Sequence, residues 1–269
     1  MPSLRNRTPF VVALVPMINP EGRNVAVVIV KATYDLSSSG FMQLAGEQQE
    51  ILYVDVMSEG RDKRGNEVDA IRVPADLADY KPHTDVVIVR PDDRDQARQM
   101  EGREISLQVG PLRKACRSKR DDWPWGPLRR DEEPRRGFAG TYDLAWTKSR
   151  MPLLPADFDP RHHQVAPPDQ IVPQHLAGDE ALSLHNLHGN GAIWRGRLPD
   201  RAIVVSGNLP GHYFTRVAAL DTLLLWSDAP RITLVWRHAI PTRQKIAEVC
   251  NVHVHDCRVR TALELYGRS

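Results

Sequence analysis

The sequence predicts a mainly β fold: a sandwich or barrel-like set of antiparallel sheets with few short helices. Three observations predict it. Runs rich in β-branched residues recur along the whole chain, 17 Gly and 21 Pro punctuate them, and helical stripes are scarce. The chain has 269 residues, 41% hydrophobic and 26% charged. That is the composition of an ordinary globular protein, long enough for one large β domain over residues 1–269 or two β subdomains joined at about 113–140.

Taken in order, the first apolar run lies in RNRTPFVVALVPMINPEG, where Arg5 and Arg7 precede it as in a secretory leader. Pro9 and Pro16 interrupt it, and no small-x-small cleavage site follows. It is also too short for a bilayer, which needs ~20 apolar residues. A first strand is expected there. Asn24–Leu36, NVAVVIVKATYDL, is apolar without alternation, the pattern of a strand buried on both faces, and it ends in the turn SSSG. Strands are expected again in EILYVDVM (Glu50–Met57), TDVVIVRP (Thr84–Pro91), EISLQVG (Glu104–Gly110), RAIVVSGN (Arg201–Asn208) and RITLVWRH (Arg231–His238). Val28, Ile29, Val30, Val87, Ile88, Val204, Leu234 and Trp236 are the expected core residues. Helical turns are expected only in DRDQARQMEG (Asp93–Gly102) and TRQKIAEV (Thr242–Val249).

Two stretches are not strand-like. Arg113–Gly137 is dense in charge of both signs and broken by Pro124, Pro127 and Pro134, so it is expected to be exposed. Met151–Pro173 is held extended by its X-Pro pairs.

A net charge of +2 does not point to nucleic acid. Three cysteines, Cys116, Cys250 and Cys257, are too few for a disulfide framework, which favours a reducing compartment. Cys116 sits among basic residues that would activate a thiol, but no partner base is indicated.

Metal or acid–base chemistry has two candidates. Asp157, Asp159, His162 and His163 in LPADFDPRHH combine the right side chains. Adjacent His side chains rarely point at one centre, however, and Asp before Pro is a turn former. In CNVHVHDC, His253, His255 and Cys257 would share one strand face, spread over ~13 Å, too far for one tetrahedral ion. The expected arrangement is Val252 and Val254 inward and the polar residues outward. No Gly-x-Ser-x-Gly elbow, phosphate loop or Ser/His/Asp set is singled out, and no cofactor or metal is expected. Trp123 and Trp125, in the charged stretch, are candidate partner contacts, since Trp and Arg are enriched at protein interfaces.

Several motifs recur in a recognisable order. VIVKATYDL, ADYKPHTDVVIV (Ala78–Val89) and LQVGPLRK (Leu107–Lys114) precede GTYDLAW (Gly140–Trp146), LPADFD (Leu154–Asp159) and APPDQ (Ala166–Gln170). GDE (Gly178–Glu180) and LDTLLLW…ITLVWR (Leu220–Arg237) follow. Together they resemble the bacterial family called domain of unknown function 2169, over about residues 8–240. The resemblance implies an adaptor or chaperone of type VI secretion. Such a protein holds an effector in the bacterial cytoplasm and helps load it on the spike or its tip protein. It implies no catalytic residue and no membrane or nucleic-acid partner. Many relatives carry a long insertion before GTYD, which is short here.

The motif residues themselves read as structural. Gly140 permits a turn, Thr141 and Asp143 bond local amides, and Tyr142 and Trp146 act as amphipathic anchors. Lys81 and Asp85 are expected to pair at a strand entrance. Pro155, Asp157, Asp159, Pro168, Gln170, Gly178, Glu180, Trp236 and Arg237 complete the motif set. Two alternatives to the adaptor remain: a metal-dependent hydrolase using Asp157, Asp159, His162 and His163, and a structural scaffold piece of the secretion apparatus.

Overall fold

The computed structural model describes residues 3–61, 67–91, 100–117, 123–187, 191, 193–242 and 248–267. A mixed sheet forms its centre. In spatial order this sheet runs β10 (Ile171–Val172), β7 (Thr84–Val89), β15 (Ala219–Trp226), β16 (Arg231–Pro241), β3 (Asn24–Leu36) and β2 (Val11–Ile18), with β4 (Met42–Leu44) also on β3. β7 and β15 are parallel and the other pairs antiparallel. A second sheet orders β1 (Leu4–Asn6), β17 (Cys250–Cys257), β13 (Ala202–Leu209) and β14 (His212–Val217). A third orders β12 (Ile193–Arg197), β11 (Ala181–His185), β8 (Glu104–Val109) and β9 (Leu112–Arg117). A small hairpin joins β5 (Val56–Arg61) to β6 (Glu67–Val73).

The expected β class is found, as open sheets and not as a closed barrel. The sheets are also not purely antiparallel, because β1 pairs parallel with β17 as β7 does with β15. One apolar cluster joins the three large sheets. Val28, Val30, Leu234 and Trp236 of the central sheet meet Ile105 and Leu182 of the third and Ile203 and Val254 of the second. The opposite face of the central sheet is covered too, by Ile51 over Val27, Ile29 and Val235, and by Val165 and Ala166 over Val87, Val89 and Leu224. Coverage on both faces is why β3 and β7 read as unbroken apolar runs. β2 lies at the sheet edge, where Pro16 takes no bond from a further strand. All eight expected core residues are buried at 0–1% exposure.

One expected strand is absent over most of its length. Only Val56 and Met57 of EILYVDVM enter a strand. Ile51 buries its side chain on the outer face of the sheet, and the Leu52 amide donates to Asp76 Oδ2 at 2.7 Å. The segment satisfies its backbone with a carboxylate and not with a ladder. Two short helices appear that no expectation covered, α1 (Leu144–Ser149) and α2 (Val259–Tyr266). The two expected helical turns lie mostly outside the described residues.

Leu234→Ala should cost ~2–5 kcal/mol, because removing a fully buried side chain from the core between the sheets leaves a cavity. Urea unfolding measures this; a change under about 0.5 kcal/mol, the size expected for a surface site, would contradict the packing.

Candidate functional site

The functional residues are best built outward from the buried charges. Lys31, Lys81 and Arg237 face Asp76, Asp85 and Asp221, and all six are 0–4% exposed. They form one connected chain. Lys31 Nζ donates to Asp76 Oδ2 at 2.7 Å. Arg237 Nη2 donates to the Asp76 carbonyl at 2.7 Å, and its Nη1 is paired with Asp221. Asp221 Oδ1 accepts from Thr222 Oγ1 at 2.9 Å, which itself accepts from Lys81 Nζ at 2.9 Å. Lys81 Nζ also donates to Asp85 Oδ2 at 2.8 Å. Asp85 then accepts from Gln164 Nε2 and from the amides of Val165 and Ala166 at 2.8–3.1 Å. Three cations against three carboxylates leave the network neutral, as burial in a low-dielectric interior demands.

The remaining motif residues hold irregular backbone. Asp143 caps α1 by accepting from the Trp146 amide at 2.8 Å, and Tyr142 lies edge-on to Trp146 at 4.8 Å. Gly140 has φ +79°, and a Cβ there would meet Pro155 Cβ at 2.8 Å, so only glycine fits beside the buried Pro155. Asp157 accepts from the Thr141 amide at 3.0 Å and hydroxyl at 2.7 Å, bonds that hold its carboxyl below the usual range. Asp159 accepts from Arg161 through Nη2 at 2.6 Å and the amide at 2.8 Å, which lowers its pKa too. Pro168 opens the short 3-10 turn that ends at Gln170. Gln170 Nε2 donates to the Val86 and Trp125 carbonyls, and its Oε1 accepts from Lys114 Nζ at 2.6 Å. Glu180 accepts from the Ala177 and Gly178 amides at 2.6 and 3.0 Å.

Asp157, Asp159, His162 and His163 do not converge. His162 Nδ1 lies 2.8 Å from the Arg135 carbonyl, and His163 Nε2 lies 3.3 Å from Asp79 Oδ1. Each of the four thus has a different partner. In β17, Val252 and Val254 are buried and His253 and His255 face outward, on an inner strand between β1 and β13. Among the described residues, no group of three or more His, Cys, Asp or Glu is placed to hold a metal ion.

Of the two candidate contacts, Trp125 is not exposed, while Trp123 keeps part of its surface. Trp125 is 0% exposed and packs in the main core, with Lys114 Nζ 5.0 Å from its ring centre. Trp123 is half-buried, and its Nε1 donates to the Ile88 carbonyl at 2.8 Å. The Trp125 carbonyl accepts from the Ile88 amide at 3.3 Å. Together the two tryptophans seal the edge of β7 beyond the short β10. The abundant charge around them hid that role. Arg113–Arg117, expected to be exposed connection, is the strand β9.

The sequence reading also missed a cleft between α2, the first residues of β15 and the 173–177 loop. Tyr80, Lys81, His175, Arg216, Asp221, Arg237, His238 and Tyr266 line its polar part. Burial, and then the charge of Arg216, push the His238 imidazole down to about 4. The 3.6-residue spacing of Val259, Ala262, Leu263 and Tyr266 was the legible signal for α2.

The fold and site define a multi-sheet β protein whose ionisable motif residues are bound into its own framework. The chain matches the family model described as "Uncharacterized protein conserved in bacteria (DUF2169)" over residues 21–118 and 117–237. It belongs to that family. Comparisons with curated proteins and with solved structures give no match.

Asp85→Ala should destabilise the protein by ~3–5 kcal/mol by leaving Lys81 buried without its carboxylate. Replacing both, as Lys81→Met with Asp85→Leu, should recover part of that loss in urea unfolding. A single variant as stable as the wild type would remove the pair from the framework.

His238 gives a signed pH effect. Its ring titrates near 4 when folded and near 6.5 when unfolded, so the unfolded chain takes up the proton first. Its contribution therefore falls as pH drops from about 6.5 to 4, by on the order of 3 kcal/mol in full. His238→Gln should flatten the stability profile between pH 7 and 4. Parallel profiles for the two proteins would contradict the assignment.

Proposed function

We propose that this protein is a non-catalytic adaptor, or chaperone, of type VI secretion. In the bacterial cytoplasm it holds a secreted effector and helps load it on the spike or its tip protein. What supports the reading is the commitment of its reactive-looking side chains. The carboxylates, imidazoles and cations of the family motifs each bond local backbone or an opposite charge. An acid, base or nucleophile needs a free atom facing a bound substrate, and the polar atoms named here are already engaged by the protein's own groups. No described helix is long and apolar enough to cross a membrane.

The hydrolase alternative draws no support from the arrangement of Asp157, Asp159, His162 and His163. The scaffold alternative differs from the adaptor only in what the protein holds. Affinity capture of tagged protein from its own bacterium separates them. We expect an effector, a spike protein or a tip protein to co-purify. Deleting the gene should stop release of that effector while the apparatus still assembles. Capture of copies of itself alone, with no effector affected by the deletion, would favour the scaffold. About one zinc per chain by elemental analysis would revive the hydrolase.

A further inference from the structure

Two adjoining cavities open beside α2. One, of about 550 Å³, is lined by Leu176, Leu220, Val259 and Leu263, with Glu180 and His175 also on its walls. The other, of about 520 Å³, has the polar walls described above. They share Tyr80, His175, Val217 and Ala219, so they form one cleft, with Leu176, Leu220 and Leu263 at one end and Arg216 at the other.

Three cations, Lys81, Arg216 and Arg237, and two carboxylates, Asp79 and Asp221, line the polar end. Lys81 is engaged by Asp85, and Arg237 by Asp221. Asp79, the other carboxylate on that wall, faces His163. Arg216 is exposed and donates only to the Thr215 carbonyl at 2.9 Å; no carboxylate among the described residues pairs with it. His238 beside it is neutral at pH 7 because burial depresses its pKa. The cleft thus offers one free guanidinium close to the Leu176 and Leu220 side chains.

We propose that this cleft binds the C-terminal end of a polypeptide, with the α-carboxylate on Arg216 and an aliphatic last side chain between Leu176, Leu220 and α2. A planar guanidinium matches a carboxylate through two parallel hydrogen bonds. A chain end with an aliphatic final residue places that carboxylate directly beside an apolar group, the same pairing the cleft presents. The rim suits a peptide. Tyr80 and Tyr266 are 49% and 40% exposed and offer flat, amphipathic surface to an extended backbone. The assignment rests on the adaptor reading, and it names the feature of the cargo that is recognised.

Calorimetric titration of the full chain with acetyl-Gly-Ser-Ala-Val-Leu, as free acid and as C-terminal amide, tests it. The acid should bind, and the amide should bind at least about tenfold more weakly. Arg216→Ala should weaken the acid by about tenfold or more, while Arg216→Lys keeps part of the affinity. Leu263→Asp, at a residue 40% exposed, should also abolish binding without unfolding the protein. Both Arg216 and Leu263 are exposed enough that circular dichroism should be unchanged in these variants. Equal binding of acid and amide, no binding of either, or wild-type affinity in Arg216→Ala would overturn the proposal. Octanoate binding where the peptide does not would replace the polypeptide with a small aliphatic acid. Capture of an effector by Arg216→Ala as efficiently as by wild type would overturn this site and leave the adaptor reading intact.

Discussion

The Asp85 carboxylate is the constraint on which much of this structure depends. It sits on β7 with no exposed surface, so its charge must be met entirely by protein. Four donors do so: Lys81 Nζ, Gln164 Nε2 and the amides of Val165 and Ala166. A carboxylate has about four lone-pair positions, so this one is saturated. Two of the four donors are backbone, which means the charge fixes where residues 164–166 run. That placement lays Val165 and Ala166 on Val87, Val89 and Leu224. Without the carboxylate, a segment rich in proline would have no ladder of its own to hold it against the sheet.

This explains which parts of the fold are legible in the sequence. β3, β7, β13 and β16 are legible because side-chain burial alone decides them. Their runs of Val, Ile and Leu have only one satisfactory environment, between covered faces. Glu50–Asp55 has similar residues but a different backbone partner, the Asp76 carboxylate, and nothing local to the run announces it. Trp125 misled for the opposite reason. Its neighbours in sequence are charged, but its neighbours in space are the core and the aliphatic stem of Lys114. Pairing of Lys81 with Asp85 was legible from four-residue spacing beside a proline. Its link through Thr222 to Asp221 and Arg237 was not, because those residues lie about 140 positions away.

The same contrast applies to the candidate site. Residues that look like chemistry in the sequence are polar residues in irregular stretches, and irregular stretches need polar residues to satisfy backbone. Asp143, Asp157, Asp159 and Glu180 all do this with main-chain amides. The cleft, by contrast, is assembled from five distant pieces: Tyr80, the 173–177 loop, β14 to β15, β16 and α2. Three of them, Tyr80, β15 and β16, carry family motifs, but nothing in those motifs announces that they meet around one cleft.

The cleft and the buried network follow from one mismatch of strand lengths. Pairing of β15 with β16 begins at Ala219, but pairing of β15 with β7 begins only at Thr222. Ala219, Leu220 and Asp221 therefore pass beyond the end of β7 with one edge unpaired by it. Leu220 is partly closed by a bridge to Leu176, and Thr84 Oγ1 donates to its carbonyl. Asp221 turns to Arg237, and Lys81 fills the corner. What remains open on either side of this patch is the cleft. A chain that ends a strand early must staple the gap with buried polar groups, and those groups in turn hold the walls of the recess rigid. That is the property a protein-binding site needs, since walls already fixed in place lose little freedom when a partner arrives. On this argument the buried motif residues Lys81, Asp85 and Arg237 hold the walls of the cleft in place.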